Sequence, residues 1–108
     1  MLQPIEIQRR CQHIARAIGQ AAQACSAETN VPGELRNCIQ RLDDKSDFAR
    51  TLLGMRDPQR IRKVVEEMEQ LGDRARRICS SGVDLTPQMR GAVVRLHEQL
   101  AELKMQMH

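Results

Sequence analysis

The chain has 108 residues, 41% of them hydrophobic and 29% charged, with Phe48 as the one aromatic side chain. That length supports one modest aliphatic core, so residues 1–108 read as a single domain, and no apolar run approaches the roughly 20 residues of a membrane span. A net charge of +3 is too mild to imply nucleic acid by itself.

The first amphipathic stretch follows Pro4. Apolar residues recur at spacings of four and three, through Ile7, Cys11, Ile14, Ile18, Ala21 and Cys25, and predict a helix over 4–25. The turn-like segment SAETNV ends it, and Asn30 or the residues beside Pro32 open a second helix over 33–54 with Leu35, Ile39, Leu42, Ser46, Ala49 and Leu53 in the same register. Asp57-Pro58 then places a capping oxygen before a proline, whose missing N–H costs nothing at the first helical position. The third helix, 58–79, carries Ile61, Val65, Met68, Gly72, Ala75 and Cys79. Thr86-Pro87 repeats the signal for a fourth over 87–107, with Met89, Val93, Leu96, Leu100, Leu103 and Met107.

Four helices of similar length joined by short turns predict an all-α, antiparallel up-down-up-down four-helix bundle. Two hairpins completing each other in a dimer would share its layers. Those layers run from Ile7, Leu53, Ile61 and Met107 at one end to Cys25, Leu35, Cys79 and Met89 at the other. Ser46 is the one polar residue in the register, its hydroxyl expected to bond its own helix backbone. Gly72 falls beside Ile18, Leu42 and Leu96, where large neighbours leave room for little else.

The fold gathers Cys25, Cys79 and Met89 into one layer, with Cys38 about a turn below. Two or three thiolates and a thioether form a soft set suited to Cu(I), or to Zn(II) with another ligand in place of Met89. The favoured reading is simpler, since free cysteine packs as a small hydrophobe. No CxxC pair occurs, and free thiols are expected.

His13 and His97 fall one residue outside the register. His97, in the segment LHEQLAELK, resembles the phosphoacceptors of histidine phosphotransfer domains and kinase dimerisation helices in being a histidine on a helix, with an acidic neighbour as in the kinases. Leu100 and Ala101 stand where the phosphotransfer pattern has lysine and small residues. A solvated histidine or an interhelical hydrogen bond is the competing reading.

Charge is concentrated at one end. Arg56, Arg60, Arg62 and Lys63 crowd the turn into the third helix, and antiparallel packing brings Arg9, Arg10, Arg50 and Lys104 to the same end, opposed by Glu6, Asp47, Asp57 and Glu102. Such a patch suits an acidic partner, a phosphate or a nucleic acid backbone. Pairing with Glu66 and Glu67 at helical spacing would instead make it an ordinary solvated face. Met1, Met55, Met105, Met107 and His108 gather at this end as frayed ends and core lids.

No phosphate-binding loop, nucleophile elbow or metalloprotease motif occurs, so neither enzymatic activity nor a cofactor is expected. The N-terminal order MLQPIEIQRRCQ is not that of a signal peptide, pointing to the cytoplasm, and the arginine and alanine bias points to a bacterial source. The reading that remains is a non-catalytic interaction or regulatory module that binds a protein or a second copy of itself. Val64, Leu71 and Ile78 form a second apolar row on the third helix, which packs on a neighbouring helix in a monomer and becomes an interface in an assembly. The alternatives are an anionic partner, nucleic acid included, at the basic end, and the soft-metal or redox site.

Overall fold

The third and fourth helices start where the capping chemistry in the sequence places them. The Asp57 carboxylate accepts a hydrogen bond from the Arg60 backbone N–H at 3.2 Å, and the Thr86 hydroxyl accepts one from Met89 N–H at 3.2 Å, each satisfying a first-turn donor that has no partner within its helix. In the computed structural model, which describes residues 3–55, 57–82 and 84–107, the helices are α1 (Pro4–Ala27), α2 (Gly33–Met55), α3 (Pro58–Ser80) and α4 (Pro87–Met107). Pro32 stands just before α2, and its carbonyl accepts the Arg36 N–H. At the far end of α3, Ser81 N–H and its hydroxyl both reach the Ile78 carbonyl, and Gly82 takes φ +88°, where a Cβ would be strained.

Each helix packs on its neighbours in the chain, and α4 closes the ring against α1. Side-chain links fix the directions. Along α4 from Lys104 back to His97, the partners on α3 advance from Glu69 to Asp73, so these two helices are antiparallel. The links Arg10–Glu102 and Cys25–Met89 show the same relation for α1 and α4. The bundle measures 40 × 21 × 18 Å along its principal axes. No helix in it is long and apolar enough to cross a membrane.

The core follows the four-three register closely. All of its residues are buried except Ile7, Cys11 and Leu53, which are half-buried against the core. Buried positions beyond the register are Ala17, Val31, Cys38, Leu52, Val64, Leu85, Ala92 and His97. Val64 lies inside, while Leu71 and Ile78 pack half-buried against the core, so the second apolar row of α3 is taken up within the bundle. Gly72 does mark a close approach, but to α4. A Cβ there would stand 3.1 Å from Leu100 Cδ1 and 3.7 Å from His97 Cα.

Candidate functional site

Ile7, Cys11 and Leu53, the three register positions left partly open, border one cleft. It lies between the first half of α1 and the second half of α2, with a volume of about 970 Å³. Ile5, Cys11 and Ala15 form the α1 wall, and Ala49, Leu53 and Gly54 the α2 wall. Val65 of α3 and Leu100 and Leu103 of α4 form the floor and are themselves closed to water.

The cleft has a local cause. Cys11, Ala15, Ser46, Ala49 and Gly54 are small, and they face one another across a single seam, so the two helices have little side-chain volume to fill the space between them. A smaller hollow of about 320 Å³, bordered by Ala22, Cys25, Ile39 and Asp43, continues along the same seam. Every other seam carries a charged link: Lys45–Glu67 at 3.0 Å between α2 and α3, Lys104–Glu69 at 3.3 Å between α3 and α4, and Arg10–Glu102 at 3.0 Å between α1 and α4. Among the described residues, no such link joins the bodies of α1 and α2. The nearest is Arg36 donating to the Glu28 carbonyl just beyond the end of α1.

Ser46 lies at this seam, 7% exposed, and borders the cleft. Its hydroxyl does not bond the backbone of its own helix as expected. It has no hydrogen-bond partner among the described residues, whereas Ser26, Thr51 and Ser80 each donate to a carbonyl one turn back. Arg50 stands one turn from Ser46 on the same helix, exposed and without an ion pair among the described residues. Gln8 and Gln12 border the cleft from α1.

The basic residues expected at this end divide into two groups. Arg10 is held by Glu102, Arg60 by its cap residue Asp57 at 3.5 Å, and Lys104 by Glu69. Arg9, Arg50, Arg62 and Lys63 are exposed and form no ion pair among the described residues. Arg56, Met1 and His108 lie outside the described residues. The unpaired cations include the one at the cleft, a coincidence that summing charge along the chain does not reveal.

The sulfur cluster forms in part. The Cys25 thiol donates to the Met89 thioether at 4.0 Å, both buried, and Cys79 is near enough for its charge to bear on the Cys25 thiol. Cys38 is also buried, with Arg74, Arg41 and Glu34 as its charged neighbours. Burial raises the thiols of Cys25, Cys38 and Cys79, which keeps them protonated in the free protein. Among the described residues, no three His, Cys, Asp or Glu side chains gather closely enough to hold a metal ion.

His97 takes an interhelical setting, the second of the two expected for it, in place of a solvated one. It is 9% exposed, and its Nε2 stands 3.7 Å from both Glu69 Oε1 and Asp73 Oδ1. The reason is Gly72, whose missing side chain lets α4 approach α3 at this height. His13 is exposed on α1. No protein-family model matches the chain, and no curated protein or solved structure is detectably similar to it. The reading of the site therefore rests on its own geometry.

Proposed function

We propose that this chain is a non-catalytic binding module, an interaction or regulatory protein whose working surface is the cleft between α1 and α2. An anionic, amphiphilic partner places its apolar part against Ile7, Cys11, Ala15 and Leu53 and its charge on the unpaired arginines of the basic end. The observation that carries this reading is the cleft itself, an apolar hollow of about 970 Å³ opening where an otherwise regular core should close. That size lies at the upper end of small-ligand sites, which run from roughly 300 to 1,000 Å³. The second apolar row of α3 supports the reading indirectly. Because it packs within the bundle, that row is not left for a partner, whereas the cleft is.

The test is uptake of an apolar, environment-sensitive dye such as Nile red by the purified protein. Wild type should bind it with a blue-shifted emission, and Ala15→Phe, which fills the cleft from its half-exposed wall, should weaken binding by about tenfold or more, equivalent to about 1.4 kcal/mol. A thermal melt of the variant verifies that it is folded. Dye uptake that is absent from wild type, or unchanged in a folded Ala15→Phe, would refute the reading.

A further inference from the structure

Polar groups border the cleft in a pattern that its apolar walls do not require. Ser46 and Arg50 stand one turn apart on α2, and Gln8 and Gln12 stand one turn apart on α1; all four border the same hollow. Ser46 is more than nine-tenths buried, and its hydroxyl has no partner among the described residues. The hydroxyl borders the cleft, where a bound ligand would supply the partner that no described residue gives it. Arg50 supplies a positive charge one helical turn, about 5.4 Å, further along.

Resting on the reading above, we infer that the cleft binds a free long-chain carboxylate. Its alkyl chain lies along the apolar walls, and its carboxylate accepts hydrogen bonds from the Arg50 guanidinium and the Ser46 hydroxyl. The amide N–H groups of Gln8 and Gln12 are the further donors on the α1 side. Arginine presents a fork of donors that matches a carboxylate, and a charge-assisted bond of this kind is about twice as strong as a neutral one.

Geometry favours an alkyl chain over a partner helix. Packed helices keep their axes 8–10 Å apart, and a fifth helix seated on the outside of the α1–α2 seam would have its backbone already satisfied and leave Ser46 beyond reach. A polymethylene chain is thinner than a helix and needs a narrower opening to reach the bordering polar groups. The α1 wall extends from Ile5 to Ala15, about 15 Å at 1.5 Å per residue, which accommodates an extended medium to long acyl chain.

Laurate, methyl laurate and dodecylamine share a chain and differ at the head, so their binding to the intact protein, followed by calorimetry and by displacement of Nile red, isolates the head group. Laurate should bind at least about tenfold more tightly than the ester, with the amine weakest, and Arg50→Gln, its fold verified by a thermal melt, should remove the preference. Equal binding of laurate and its ester, or a preference that survives Arg50→Gln, overturns the carboxylate assignment while the binding-module reading stands on its dye uptake. Displacement of the dye by an acidic amphipathic peptide but not by laurate overturns it in favour of a protein partner. Failure of the dye and of all three amphiphiles to bind removes both readings together.

Discussion

Cys11 combines two properties that seldom coincide, because it borders an open cleft and yet burial pushes its thiol up to about 11. A thiol raised in the folded state holds its proton where the unfolded chain, with an ordinary thiol near 8.5, has begun to lose it. The stability this contributes is therefore fully present below the ordinary thiol range and is lost as pH rises through about 11. Since the thiolate is the reactive form, alkylation of Cys11 by iodoacetamide at pH 8, read by peptide mass mapping, should be far slower in the folded protein than in urea, and should accelerate only as the pH approaches about 11. Labelling at pH 8 as fast as in the unfolded chain would show the thiol to be solvated. At this scale the sequence places a residue at a height along the bundle but not among its actual neighbours. Gly72 was expected beside Ile18, Leu42 and Leu96, whereas the atoms nearest its missing Cβ belong to Leu100 and His97, because two helices approach each other off the central axis.

Helices were the most legible elements, for they are set by chemistry local to the chain. Prolines at first positions, the Asp57 and Thr86 caps and the four-three register located α1 to α4 to within two residues at each end. What joins the helices was less visible, since the register says which side faces inward and nothing about links at the flanks. Glu69 is the clearest case. It is largely buried, its Oε1 stands 3.7 Å from His97 Nε2, and its Oε2 accepts from Lys104 Nζ at 3.3 Å, so one carboxylate serves two groups of α4. Glu69→Ala removes the acceptor of the Lys104 hydrogen bond and one of the two carboxylates beside the buried imidazole, and should cost about 1–3 kcal/mol, the range for losing a hydrogen bond to a charged group in a largely buried setting. Lys45→Ala breaks the more exposed Lys45–Glu67 link and should cost less than about 1 kcal/mol, as exposed ion pairs generally do. Urea denaturation of the two variants compares them directly, and equal losses would contradict the distinction.

For the whole molecule, the cleft is a place where packing that the register could have completed is left open. Its basis was in the sequence: Cys11, Ser46 and Ala49 are small members of adjacent layers, and Ser46 is the lone polar one. Yet small residues facing large ones are also how a tight core interlocks, and only the three-dimensional arrangement shows that here they face each other across one seam. An unfilled seam is less stable than the fold allows, a cost that the proposed ligand would offset on binding. Ser46→Ala removes a hydroxyl that no described residue bonds and installs a better helix former in a largely buried position, so the ligand-free protein should gain up to about 1 kcal/mol. For a chain of this length that corresponds to a melting temperature higher by roughly 4–8 °C. The same change should reduce the stabilisation that laurate confers, because a ligand raises stability only as far as its concentration exceeds its dissociation constant, and the variant lacks one donor to the carboxylate. Thermal melts of both proteins with and without laurate read the two effects in one experiment. If Ser46→Ala instead lowers the melting point of the free protein, the hydroxyl is already satisfied in solution, and the seam is open for a reason other than the ligand.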